Sequence, residues 1–343
     1  MTDPTPDSLV PPIPVTLLSG ALGAGKTTLL RELLDARHGL KIAVIENEFA
    51  ASGIDDQLLG DTPVTVVALA DGCICCSIGG DLTRALVVLL ERLDAGELDF
   101  ERLVIECSGM ADPGPIAQAF FAEEQLRDRY QLDGILTLVD AVHAERQLDR
   151  PLAQAQVGFA DKLLVTKRDQ IDDTQLEALC ARLARINRRA PIVLADHGKV
   201  PLTELIELRG FHLEGDPDAL VAASLIPPTT LFTPSPTPHR HDDAISTLVL
   251  ESIYPLDIDA LSEFMNELLE EHGNRLLRYK GVLDIEGEPR RLVFQGVFRL
   301  YGFDWDREWG NEPRKSVVVF IGEHLPEERI RQGFARATER RIG

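Results

Sequence analysis

Cys73, Cys75 and Cys76 crowd three thiols into the segment Asp71-Gly72-Cys73-Ile74-Cys75-Cys76-Ser77, and upstream lies Gly20-Ala21-Leu22-Gly23-Ala24-Gly25-Lys26-Thr27. The first pattern suits soft or borderline metal ions, or redox chemistry, because thiolates near a helix start have lowered pKa values. The second has the G-x-x-x-x-G-K-[ST] spacing of a phosphate-cradling loop. Gly20, Gly23 and Gly25 let successive N–H groups turn inward, with Ala24 and Thr28 completing the cradle. The helical pattern that follows points its positive end at the anion. Lys26 would reach the β- and γ-phosphates, and the Thr27 hydroxyl would ligate Mg²⁺. A chain carrying both features couples nucleotide hydrolysis to metal or thiol chemistry.

Two strand ends complete a nucleotide site. Leu103-Val104-Ile105-Glu106 is an apolar strand closing on an acid, with Gly109 just beyond it. Glu106 can hold the Mg²⁺ shell or orient the attacking water, and Gly109 can offer an N–H to the γ-phosphate. Thr166-Lys167-Arg168-Asp169 is close to the Asn-Lys-x-Asp of guanine-binding proteins. Asp169 would accept guanine N1–H and its exocyclic amine together, while the Lys167 stem lies along the base. Adenine lacks that pair of donors and would leave the carboxylate unsatisfied, so the nucleotide is read as GTP. Asp196-His197-Gly198, after the next strand, is a candidate cover for the base edge.

The thiol loop cannot close a metal site by itself. If it is extended, Cys73 and Cys75 point one way and Cys76 the other. Two or three sulfurs leave a tetrahedron open, to be completed by a carboxylate, a water or a partner, and open positions belong to exchangeable sites. The same cysteines also suit small buried hydrophobes or redox-sensing thiols, and the residues alone leave these open. Glu46 and Glu48, in Glu46-Asn47-Glu48-Phe49, follow the second strand, where a γ-phosphate-sensing loop belongs, and can supply Mg²⁺ or transition-metal ligands. His239 and His241 can sample metal or simply be solvated. His143 reads as a loop residue, and Cys107 and Cys180 as structural.

Positioning these groups requires an α/β fold. Apolar runs at 15–19, 41–46, 64–69, 103–106, 134–139, 162–166 and 191–195 read as strands. Helical patterns over 27–35, 80–93 and 173–187 alternate with them. Such alternation predicts a mostly parallel sheet covered on both faces, with ligands at the carboxyl ends of its strands. The boundaries expected are a flexible tail over 1–12, a nucleotide-binding domain over 13–215, a Pro-rich linker over 216–243 and a small α+β domain over 244–343. In that last domain 246–253, 291–301 and 316–321 read as strands, and 258–272 and 327–336 as helices.

With 343 residues and 44% hydrophobic content the chain can bury two cores. A formal net charge of −21 argues against nucleic-acid and anionic-membrane partners, which need basic surface. The polar, Pro-rich start and the lack of long apolar runs predict a cytoplasmic protein without a membrane span. Homo-oligomer formation is left open.

Taken together, Gly-Ala-Leu-Gly-Ala-Gly-Lys-Thr-Thr-Leu-Leu, Ile-Glu-Asn-Glu-Phe, Asp-Gly-Cys-Ile-Cys-Cys-Ser, Val-Ile-Glu-Cys-Ser-Gly-Met-Ala-Asp-Pro and Leu-Val-Asp-Ala-Val-His resemble the CobW-type metal-chaperone GTPases, and most closely their YjiA branch. Arg278-Tyr279-Lys280-Gly281, Phe294-Gln295-Gly296-Val297 and Val319-Phe320-Ile321-Gly322 resemble the CobW C-terminal domain. The resemblance runs from about Ile13 to the end, sparing the linker. It implies a P-loop NTPase fold joined to a small α+β CobW C-terminal domain. It also implies a slow GTPase that binds Zn²⁺, or Co²⁺ or Ni²⁺, at Cys73, Cys75 and Cys76 and hands it to a client metalloprotein. The family pattern reads Asn-Glu-Phe-Gly-Glu, where this chain has Asn47-Glu48-Phe49-Ala50-Ala51. The missing acid leaves Glu46 and Glu48 as candidate ligands. A redox-regulated GTPase switch and a scaffold with a structural nucleotide site are the alternatives.

Overall fold

The computed structural model describes residues 11–35, 39–46, 57–58, 64–68, 80–195, 200–201, 204–206, 208, 210 and 243–338. In its N-terminal part β1 (Ile13–Gly20), α1 (Lys26–Asp35), β2 (Ile42–Glu46), β3 (Gln57–Leu58), β4 (Val64–Ala68), α2 (Gly80–Asp94) and β5 (Arg102–Glu106) follow in order. Next come α3 (Pro113–Ala122), the single turn α4 (Glu124–Arg127), β6 (Tyr130–Asp140), the single turn α5 (Ala144–Gln147) and α6 (Pro151–Phe159). The unit ends with β7 (Lys162–Thr166), α7 (Asp173–Ile186) and β8 (Ile192–Leu194). The strands form one sheet in the order β3-β4-β2-β5-β1-β6-β7-β8. Only the β3–β4 pair is antiparallel; the other pairs are parallel.

The two-residue period of the strands splits the core in two. Val15 and Leu17, Ala43 and Ile45, and Leu103 and Ile105 enter one cluster, while Leu18, Ile42, Val44 and Val104 enter the other. Both faces of the central strands are thus covered, as their unbroken apolar runs require. Helices α3 and α6 begin at Pro113 and Pro151, each in the first turn, where a missing N–H costs nothing.

In the C-terminal domain β9 (Ile245–Ser252), α8 (Ile258–His272), β10 (Leu276–Asp284), β11 (Arg290–Val297), β12 (Leu300–Glu308), β13 (Ser316–Glu323) and α9 (Glu327–Thr338) build an antiparallel sheet in the order β12-β11-β10-β13-β9. The single strand expected over 291–301 is corrected here. It is two strands folded back at Phe298, which takes a left-handed φ of 53°. No glycine or proline marks that turn, and β10 is a strand beyond those expected from the sequence.

One face of this sheet packs Phe264, Leu268, Ile330 and Phe334 of α8 and α9. Its other face continues the first domain's core, where Ile245, Leu277, Val297, Val319 and Ile321 join Val157 and Phe159. The seam also carries buried charge. Arg278 meets Asp161 at 2.6 Å and donates to the Phe159 carbonyl at 3.1 Å, and Arg189 meets Asp161 at 3.2 Å. Arg182, on α7, meets Asp243 at 3.0 Å where the second domain begins.

Candidate nucleotide site

Tight turning between β1 and α1 makes the cradle. Gly20, Gly23 and Gly25 have φ values of 130°, 77° and 99°, a region that favours glycine. A Cβ at Gly20 would stand 2.3 Å from the Leu138 carbonyl oxygen, so no other residue fits there. Lys26 is buried and donates to the carbonyls of Gly20 at 2.8 Å and Ala21 at 3.1 Å, which folds the loop around its ammonium. Thr27 and Thr28 follow in the first turn of α1.

Strand β5 runs beside β1 with Glu106 registered against Leu18. The register brings the buried Glu106 carboxylate to Thr27, whose Oγ1 donates to Oε1 at 3.0 Å. Because the hydroxyl spends its proton there, its lone pairs can face a cation. Two hard oxygen donors at a helix N-terminus beside a phosphate cradle fit Mg²⁺. Gly109 then returns to the loop so closely that a Cβ on it would lie 2.5 Å from Leu22 N.

At the other side β6 and β7 present the candidate base-binding residues. Thr166 Oγ1 donates to the Ala24 carbonyl at 2.9 Å. Lys167, in a left-handed conformation with φ 56°, donates to the Gly23 carbonyl at 2.8 Å and to Asp140 Oδ2 at 2.7 Å. Asp169 is exposed on the 3₁₀ turn Arg168–Gln170. Asp140 joins this cluster, with no local sequence pattern to mark it. Burial pushes its carboxyl up, but hydrogen bonds from Lys167 and His143 and the Lys167 charge outweigh that and hold it below the usual range. His143, expected as a loop residue, sits with Nδ1 2.9 Å from Asp140 Oδ2.

Cys107 is fully buried and its thiol is pushed up to about 12 by that burial, which suits the structural role expected of it. Burial also raises the Cys180 thiol. Cys73, Cys75, Cys76, Glu48, Asp196, His197, Gly198, His239 and His241 lie outside the described residues, and Glu46 is described only as the last residue of β2. Among the described residues no group of three His, Cys, Asp or Glu side chains is placed to hold a metal ion. Nor, among them, is any helix long and apolar enough to cross a membrane.

The chain resembles known proteins over most of its length. Residues 14–194 match the family model "CobW/HypB/UreG, nucleotide-binding domain", and residues 245–338 match "Cobalamin synthesis protein cobW C-terminal domain". The chain is 52% identical to the zinc chaperone YjiA of Escherichia coli, over 94% of this chain and 98% of that protein. It is 33% identical to the zinc chaperone CobW of Pseudomonas aeruginosa, over 93% of this chain and 89% of that one. The crystal structure of Zn(II)-bound YjiA GTPase from E. coli superposes with a TM-score of 0.77 at 47% identity, covering 96% of this chain and all of that one.

Proposed function

Because the chain belongs to the CobW family of metal-chaperone GTPases, in its YjiA branch, we propose that GTP hydrolysis here gates the loading and release of Zn²⁺ on Cys73, Cys75 and Cys76. The observation that carries this reading is a register. Glu46 at the end of β2 and Ala68 at the end of β4 are Cα partners, and Ile45 pairs with Ile105, the residue before Glu106. The strand ends that precede the Glu48 segment and the cysteine segment, at Glu46 and Ala68, therefore lie at the same end of the sheet as Glu106, one and two strands away from β5.

In this mechanism Lys26 exchanges its two carbonyl partners for β- and γ-phosphate oxygens, and N–H groups of Gly23, Ala24, Gly25, Lys26, Thr27 and Thr28 complete the cradle. Thr27 and Glu106 would hold Mg²⁺, which when bound neutralises charge developing on the phosphates. Gly109 offers its N–H to the γ-phosphate. Asp169 accepts from guanine, and Lys167 lies along its face while tying the base pocket to the phosphate loop. With GTP bound, the segments after Glu46 and Glu106 are drawn in, and the thiolates, with Glu46 or Glu48, take the ion as cargo. Hydrolysis releases those segments, and Zn²⁺ passes to a client metalloprotein seated partly on the C-terminal domain. The zinc-chaperone names of its relatives favour Zn²⁺ over Co²⁺ or Ni²⁺, which the same donors accept.

Zinc titration of the wild type and of Cys75→Ala, with GTP, with GDP and without nucleotide, tests the reading. We expect zinc affinity to differ by about tenfold between the GTP and GDP forms, and Cys75→Ala to lose the site. Equal affinities in the two forms would refute the coupling, and unchanged stoichiometry in the variant would remove the cysteine loop from the site.

A further inference from the structure

The loop after Glu106 leaves the sheet as Cys107-Ser108-Gly109-Met110-Ala111-Asp112 and becomes helical at Pro113. Its turn is closed locally. Ala111 N–H donates to the Ser108 carbonyl at 2.9 Å, and Met110 N–H to Ser108 Oγ at 3.4 Å. These bonds shape the turn but do not aim it at the phosphate loop.

Gln156 aims it. This side chain on α6 is 2% exposed, and its Nε2 donates to the Gly109 carbonyl at 3.3 Å and the Ala111 carbonyl at 3.0 Å. Each peptide unit is planar, so fixing two carbonyls fixes two peptide planes and the path of the chain between them. On this path Gly109 lies close against Leu22.

The platform under Gln156 is itself braced. Thr137 Oγ1 donates to the Gln156 carbonyl at 2.9 Å, tying α6 to β6. Two residues away, Gln154 Oε1 accepts from Ala244 N–H at 2.9 Å and Ile245 N–H at 3.3 Å, where the second domain begins. Arg278 of β10 caps the end of the helix at the Phe159 carbonyl, and Gly158 lies against Leu277 and Ile245. The C-terminal domain thus holds the helix that holds the loop.

We propose that Gln156 is a positioning residue for GTP hydrolysis, its amide setting the Ser108–Asp112 loop so that Gly109 meets the γ-phosphate. The proposal rests on the reading of Gly109 as the γ-phosphate contact. Gln156 touches no reactant and acts through the two carbonyls. A carboxylate in its place would put negative charge against both, and a methionine would fill the space without an N–H.

The test compares Gln156→Met, Gln156→Glu and Gly109→Ala with the wild type in single-turnover GTP hydrolysis, GTP and GDP binding, and urea unfolding. We expect Gln156→Met to lower the hydrolysis rate by about tenfold while GDP affinity stays within about twofold, with Gln156→Glu lower still. Gly109→Ala should lower the rate at least as much, and because its Cβ would press on Leu22 of the phosphate loop it should weaken GTP and GDP as well. A Gln156→Met protein that hydrolyses GTP within about twofold of the wild type overturns the proposal. So does one that weakens GTP and GDP equally at an unchanged rate, or one that fails to fold, since Gln156 then serves the fold alone. If Gly109→Ala is unaffected as well, the reading of the loop fails with it; if only Gly109→Ala is impaired, that reading stands and Gln156 is excluded.

Discussion

Asp140 holds Lys167 at 2.7 Å, and the same ammonium donates to the Gly23 carbonyl at 2.8 Å. One cation thereby ties β6, the start of the base-binding turn and the phosphate loop together. The Asp140 side chain is only 2% exposed, so its charge is committed to this junction.

Removing that charge while keeping the shape should loosen the junction. Asp140→Asn leaves Lys167 with the Gly23 carbonyl and a neutral partner. Charge-assisted hydrogen bonds contribute more than neutral ones, by about 1 kcal/mol, so GDP and GTP affinity should both fall by about fivefold. Nucleotide dissociation measured by a fluorescent GDP analogue checks this. Unchanged dissociation would mean that Lys167 is held by Gly23 alone.

Thr27→Val keeps the volume and removes the hydroxyl that meets Glu106 at 3.0 Å. The buried carboxylate loses a donor, and the cation site loses a ligand. GTP affinity should stop responding to Mg²⁺, and turnover should fall by about a hundredfold. GTP binding titrated with and without Mg²⁺ decides it, and a variant that still gains affinity with the ion would place the ligand elsewhere.

Much of the site was legible because its chemistry is local. The phosphate loop, Glu106 and the Thr166-Lys167-Arg168-Asp169 turn each lie within a few residues of a strand end, and strand ends follow from apolar runs. The residues missed act across the fold. Asp140 is distant in sequence from Lys167, and Gln156 from Gly109, so no spacing announces either pair. The fold was misread in the C-terminal domain for a related reason. Phe298 turns the chain with a left-handed φ that sequence patterns reserve for glycine or asparagine, and its ring packs edge-on against Phe159, 5.4 Å away between ring centres in the other domain.

Gly114 sits between those same two rings. A Cβ there would stand 2.4 Å from Phe159 Cζ and 2.5 Å from Phe298 Cε2. Alanine ordinarily favours a helix by up to about 1 kcal/mol over glycine, but overpacking costs about 1–3 kcal/mol, and the clash should win at this first-turn position. Gly114→Ala should lose about 1–2 kcal/mol in urea unfolding, and pairing it with Phe298→Ala should cost less than the sum of the two. Strict additivity would show that the two residues do not share the contact.

Lys280 gives the seam between the domains a pH dependence whose sign can be worked out. Burial, helped by repulsion from Arg189 and Arg278 and opposed by Asp161, lowers its ammonium from 10.5 to about 7. The unfolded chain keeps that proton until near 10.5, so between those values the unfolded state binds more protons and stability rises with pH. Below about 7 both states are protonated, and the full cost of the buried charge is present. Lys280→Met keeps the apolar stem and removes the titration, while Asp161 retains Arg278 and Arg189. Every other titrating group is common to both proteins and cancels in their difference. The stability of the wild type relative to Lys280→Met should therefore climb from neutral to alkaline pH, by on the order of a few kcal/mol. Urea unfolding of both proteins at neutral pH and again two units higher measures the difference, and one that stays flat or shrinks would mean that the ammonium keeps its proton inside the seam.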